Sequence, residues 1–162
     1  MQIEQRLAEL GIALPMQTAD EKDYYGQKYG KMRPYYRSGE ILFLSGHTAG
    51  MRDGKVLYPG VLGKDVSIEQ GYEAARLTGL NCLAGIKEAI GDLDRVTGLI
   101  RSLNFVACAP GFTEPHLVAS GLTDLFADVF GEEIGVGPRA TIGVTSLADN
   151  YCFETWMTVA VR

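Results

Sequence analysis

No apolar stretch in these 162 residues approaches the ~18–20 residues needed to cross a bilayer as a helix, so no membrane span is expected. The N-terminal MQIEQRLAEL is charged and amphipathic, unlike the apolar core of a secretory signal, which makes the cytoplasm the expected compartment. There is no basic cluster either: 15 Lys and Arg stand against 20 Asp and Glu, for a formal charge of −5. Tracking a phosphate backbone needs a positive field, so no nucleic-acid partner is expected. A local cationic pocket for a small acid stays compatible with that charge. Cysteine is scarce, and Cys82, Cys108 and Cys152 show no CxxC spacing. An odd, unframed set of this kind fits buried free thiols in a reducing compartment. Histidine is scarcer still. His47 and His116 are far apart, without cysteines or carboxylates at ligand spacing, so no metal site is expected.

What the chain does have is 46% apolar residues over a length that suits one domain with a sizeable core. Ile3, Leu7 and Leu10 recur at helical spacing ahead of Gly11 and predict a short amphipathic helix. Residues 14–30 hold Pro15 and three tyrosines without a sustained period and read as a loop or arm. The division is thus an N-terminal helix and arm over residues 1–30 and a domain over 31–162. Tyr24, Tyr25 and Tyr29 either anchor the arm to a partner subunit or lay it over its own domain.

Within the domain, residues 33–38 and 41–44 read as strands. The second, ILFL, is continuously apolar and predicts a strand buried on both faces. Arg52-Asp53-Gly54-Lys55 has the chemistry of a hairpin turn. Residues 67–91 form the clearest helix, with Ser67 and Gln70 spaced for a capping box and Gly91 as its stop. Ala74, Ala75, Gly79 and Ala84 suggest close packing of this helix onto a sheet. A strand over 94–107 follows, then a second helix over 114–130 with Pro115 in its first turn. Leu117, Leu122, Leu125, Phe126, Val129 and Phe130 make the expected buried side of that helix. Two strands close the chain, over 139–146 and 151–161, joined by Leu147-Ala148-Asp149-Asn150. The order predicts an α+β fold, a mixed sheet with two helices packed on one face.

The final pair of strands carries the candidate chemistry. Side chains alternate along a strand, so Arg139, Thr141, Gly143 and Thr145 share one face. If Ser146 pairs with Tyr151 across the turn, Glu154 falls opposite Gly143 on that same face, and a one-residue slip reverses this. Taken singly, Arg139 reads as an interface ion pair and Glu154 as a solvated strand carboxylate.

ILFLSG, EQGYEAARLTGLNCLAGIKEAIGDLDRV, PRATIGVTSL and FETWMTVAV, in that order, resemble the RidA/YjgF superfamily from about Met32 to Arg162. The long N-terminal piece resembles a lengthened branch of it. The resemblance implies a chorismate-mutase-like fold, a homotrimer, and ligand clefts between subunits. It also implies hydrolysis of enamines and imines derived from amino acids, giving a 2-keto acid and ammonia without metal or organic cofactor. Older labels in the family include an endoribonuclease.

Residue by residue, the resemblance makes Arg139 the clamp for a substrate carboxylate, because a planar guanidinium offers two parallel hydrogen bonds. It makes Glu154 the group that orients or activates water. It puts Thr141 where the backbone carbonyl meets the substrate nitrogen and Gly46 on the cleft wall. The family's active-site tyrosine position falls on Met32, with Tyr35 or Tyr36 as possible substitutes. Two readings follow: a 2-imino or enamine acid deaminase, and a trimeric protein that binds a small carboxylate without turning it over. A ribonuclease gains nothing from a net-acidic chain lacking a histidine pair.

Overall fold

The computed structural model describes residues 2–15 and 29–162. Tyr24 and Tyr25, two of the arm tyrosines, lie outside the described residues. Helix α1 spans Gln2–Glu9. The strands are β1 (Tyr35–Ser38), β2 (Ile41–Leu44), β3 (Met51–Arg52) and β4 (Lys55–Val56). Helix α2 (Ile68–Ile90) leads to β5 (Val96–Ala107), helix α3 (Pro115–Gly135), β6 (Arg139–Val144) and β7 (Phe153–Val161). Five strands form one mixed sheet in the order β1-β2-β7-β5-β6. Only β5 and β6 run parallel, joined by α3, since a parallel pair needs a crossover. The fold is α+β, with α2 and α3 on one face of the sheet.

The helix starts follow their local chemistry. Ser67 Oγ accepts from Gln70 N at 3.1 Å while Gln70 Oε1 accepts from Ser67 N at 3.0 Å. This is the expected capping box, and caps of this type stabilise a helix by about 1 kcal/mol. The cap of α1 is not local: the Asp94 carboxylate accepts from the backbone N–H of Gln2 and Ile3 at 2.8 and 2.7 Å. A carboxylate there meets unpaired N–H groups and the positive helix end together. Asp53 and Gly54 both take positive φ, 51° and 71°, between β3 and β4, as the Asp-Gly turn predicts. Helices α2 and α3 cross closely. A Cβ at Gly121 would stand 2.0 Å from the Tyr72 carbonyl oxygen, so only glycine fits. Gly79 packs on Leu125 of α3, so that small residue of α2 serves the helix crossing. At the solvent edge of the same crossing, the Tyr72 hydroxyl donates to Asp124 Oδ2 at 2.7 Å, which pushes the phenol up to about 12.

The core lies between the helices and one sheet face, with Leu42, Leu83, Ile86, Leu122, Phe126, Phe153 and Val159 fully buried. Each such side chain contributes roughly 1.5–3 kcal/mol through removal from water. Cys82 and Cys152 are buried free thiols and Cys108 is half-buried. Burial pushes the thiols up, to about 11 for Cys152.

Four expectations need correction. The ILFL strand is not buried on both faces: Leu42 and Leu44 are buried, but Ile41 and Phe43 point to the uncovered face. Leu117 is exposed, in the first turn of α3. The second helix continues beyond Phe130 to Gly135, across a break at Gly131 with φ 77°. Finally, β6 and β7 form no hairpin, because β5 lies between them, parallel to β6 and antiparallel to β7. Sequence neighbours joined by a polar turn need not pair when a long third strand bonds to both.

Candidate functional site

The register of these strands decides which side chains meet. Phe43 faces Thr158, while His47 pairs with Thr155. Four residue steps on the first segment therefore match three on β7. One extra residue is inserted at Ser45–Gly46, a β-bulge of the kind that re-aims side chains at sites. The chain rejoins the ladder at His47, whose N–H donates to Thr155 O at 3.0 Å and whose carbonyl accepts from Thr155 N at 2.9 Å.

The bulge brings Gly46 against Glu154. A Cβ at Gly46 would lie 3.0 Å from both Cδ and Oε2 of Glu154 and 3.2 Å from Trp156 Nε1. The missing side chain is what lets the carboxylate lie there. Trp156 Nε1 donates to Glu154 Oε2 at 2.7 Å, leaving Oε1 for another partner. The indole is braced in turn by Phe105, ring centroids 5.0 Å apart.

Glu154, Gly46 and Trp156 line a cavity of about 430 Å³, together with Met32, Met51 and Tyr151. Met32 thus occupies a wall position, while Tyr35 and Tyr36, the possible substitutes for a tyrosine there, stand on β1 and do not line the cavity. Tyr29 also reaches this wall, and its hydroxyl donates to the Asp149 carboxylate in the turn before β7. Trp156, Met51, Tyr151 and Asn81 were not singled out from the sequence. Trp156 was findable, because it lies two residues from Glu154 on the same strand and so on the same face.

Arg139 and Thr141 lie elsewhere. Glu154 is in register with Phe105, and Phe105 with Ile142; Thr155 is in register with Asn104, and Asn104 with Thr141. Glu154 therefore points to the uncovered face, and Arg139, Thr141 and Gly143 point to the helix face. The expected single-face group of Arg139, Gly143 and Glu154 is not formed within one chain. Arg139 is exposed on the edge strand. Its guanidinium donates to Thr123 Oγ1 at 3.0 Å and leans toward the His116 carbonyl at 3.5 Å. Thr141 Oγ1 is buried without a hydrogen-bond partner among the described residues. Beside it Thr155 Oγ1 donates to Asn104 Oδ1 at 2.8 Å in a buried polar row.

His47, next to Gly46, is buried, and desolvation holds its imidazole below the usual histidine range despite the hydrogen bond from Nδ1 to Ser45 O at 2.7 Å. His116 is exposed on α3, so the two histidines form no pair. Among the described residues no group of three or more His, Cys, Asp or Glu side chains gathers as a metal site. No described helix is long and apolar enough to cross a membrane.

Residues 4–150 match the family described as "YjgF/chorismate mutase-like, putative endoribonuclease". Protein TCP17 of Trypanosoma cruzi is 36% identical over 141 residues, 87% of this chain and 82% of that one. A crystal structure of a protein of unknown function from Agrobacterium tumefaciens is 36% identical, with a TM-score of 0.84 over 99% of this chain and 93% of its own. Another, from Shewanella oneidensis and described as a "putative endoribonuclease", is 29% identical, with a TM-score of 0.86 over 98% of this chain and 99% of its own.

Proposed function

The chain belongs to the YjgF/RidA superfamily, and from that premise we propose that it hydrolyses 2-imino or enamine acids to 2-keto acid and ammonia. The observation that carries this reading is the Glu154 carboxylate on the cavity wall, fixed by the Trp156 N–H and left room by Gly46. With Oε2 engaged, Oε1 is free to accept a proton from a water beside the imine carbon. Water adds to C2 of the C=N bond, and the proton it gives up passes through Glu154 toward the nitrogen. The carbinolamine then collapses: its hydroxyl proton passes to nitrogen, the C–N bond breaks, C=O forms, and ammonia leaves. An enamine enters the same route after a proton moves from nitrogen to C3 to give the imine. General base help of this kind is typically worth about 10²–10⁴-fold.

The substrate carboxylate needs a cation, and among the described residues neither lysine nor arginine lines the cavity. Arg139 supplies one if a second copy sets its β6 edge beside the Glu154 cavity, with backbone groups near Thr141 meeting the nitrogen. The protein on this reading is a homotrimer with sites between copies. Support for assembly comes from the uncovered sheet face, where Tyr36, Phe43, Ile142 and Trp156 are exposed together. Contiguous apolar surface of that kind marks an interaction site.

One observation favours the second reading, a trimer that binds a small carboxylate without turnover: Met32 offers the cavity no proton donor. Release of ammonia and keto acid from a panel of freshly generated imines, against an uncatalysed control, separates the two. The hydrolase reading predicts release above the control. A rate equal to buffer on every carboxylate-bearing imine sinks it and leaves the binder.

A further inference from the structure

The cavity is far larger than the smallest imino acids require, and its walls say what fills it. We infer that it takes 2-imino and 2-keto acids with a bulky apolar side chain, aromatic or long aliphatic, in preference to those with a methyl or methylene group. This rests on the reading above that the Glu154 cavity is the ligand site. In that arrangement the reacting carbon stands by Glu154 and the carboxylate by a guanidinium from another copy. Only the side chain is left to occupy the remaining space.

That space is about 430 Å³, within the range of pockets that enclose whole drug-sized ligands. Its wall is built from Met32, Met51, Tyr151 and the indole of Trp156, with Ala84 and Ala148 as small lining positions. Polar side chains at the wall are mostly engaged already. Asn81 Nδ2 donates to Thr48 O at 2.8 Å, and Ser45 Oγ donates to Arg33 O. A polar side chain on the substrate would lose water and gain little in return, whereas an apolar one gains burial. The two methionines suit such a guest, since unbranched thioethers adapt to varied shapes and contact aromatic rings favourably.

The chain carries its own probe, because Trp156 is its single tryptophan and lies on the cavity wall. Affinities for pyruvate, 4-methyl-2-oxopentanoate and phenylpyruvate are to be measured on the full-length protein by titration calorimetry, with Trp156 fluorescence as the second readout. Affinity should rise through the series, with phenylpyruvate bound about tenfold or more tighter than pyruvate. Ala148 sits in an exposed turn at the cavity edge, so Ala148→Phe narrows the space at a position that tolerates bulk. The phenylpyruvate-to-pyruvate ratio should then fall to near one. Equal wild-type affinities, no binding of any of the three, or a ratio unmoved by Ala148→Phe overturns the inference. These readouts are independent of turnover. A marked bulky preference without imine hydrolysis would sink the hydrolase reading alone, and hydrolysis without size preference would sink this inference alone.

Discussion

The two faces of the sheet are made from alternate residues of the same strands and have opposite characters. On β7, Met157 is 1% exposed beneath the helices and its neighbour Trp156 is 51% exposed on the other side. On β2, Leu42 is buried and Phe43 is not. The helix face is mostly covered within one chain: its apolar rows meet α2 and α3, and Thr155 donates to Asn104 in its polar row, although Thr141 Oγ1 beside them has no hydrogen-bond partner among the described residues. The other face ends in exposed aromatic and branched side chains around a carboxylate. Arg139 belongs to the first face and Glu154 to the second. A single copy therefore does not bring together the two groups that the proposed chemistry needs, and on the proposed reading the exposed face is where a second copy contributes.

The sharpest separation of the faces is between neighbours on β2. Leu42→Ala empties a fully buried site and should cost about 2–5 kcal/mol in urea unfolding, whereas Phe43→Ser should leave the fold of each copy and lower the sedimentation coefficient on dilution. If both variants lose stability equally and assemble alike, the division of labour between faces is wrong.

Next in size is Glu154→Gln, nearly isosteric but unable to take a proton from water. Imine hydrolysis should drop by about 10²-fold while keto-acid affinity stays near wild type. Unchanged turnover would mean that another group handles the water. On the opposite face, Arg139→Lys keeps the charge but loses the planar fork, and should weaken keto-acid binding by about 1–3 kcal/mol. Equal affinity in lysine and wild-type proteins would remove Arg139 from the site.

The smallest effect concerns the joint between the bulge and β7. Burial holds His47 below the usual histidine range in the fold, so around and below the unfolded pKa of about 6.5 the unfolded chain takes up a proton more readily than the folded chain. Its contribution is fully present above that pH and is lost as pH falls, by at most about 1.4 kcal/mol per pH unit. Urea unfolding between pH 7.5 and 5.5 should show this slope in wild type and a flatter one in His47→Gln. Identical slopes would mean that His47 does not titrate on unfolding.

Much of this architecture is legible in the chain because the signals are local. Ser67 and Gln70 close on each other across one helical turn, Asp53–Gly54 makes its turn alone, and Pro115 sits where a helix tolerates it. The errors arose where pairing is long-range. Nothing in residues 138–162 says that β5, more than thirty residues upstream of β6, inserts between β6 and β7, and that insertion put Arg139 and Glu154 on different faces. The ILFL strand misled for a related reason, since apolar residues exposed on a sheet face look the same in sequence as core. Gly46 on the cleft wall was expected only through family resemblance; the bulge that brings it against Glu154 depends on where His47 rejoins β7.

The claim that Arg139 and Glu154 serve one site from different copies has a direct test in mixed assemblies. Arg139→Ala and Glu154→Gln proteins, each expected to be strongly impaired alone, are unfolded together, refolded at equal concentration and assayed for imine hydrolysis. Where an Arg139→Ala copy offers its intact Glu154 to the intact Arg139 of a Glu154→Gln copy, a complete site forms. Random mixing around a ring of head-to-tail interfaces predicts recovery of roughly a quarter of wild-type activity. Activity no greater than the sum of the two separate variants, in mixtures shown to contain both subunits, would contradict the account.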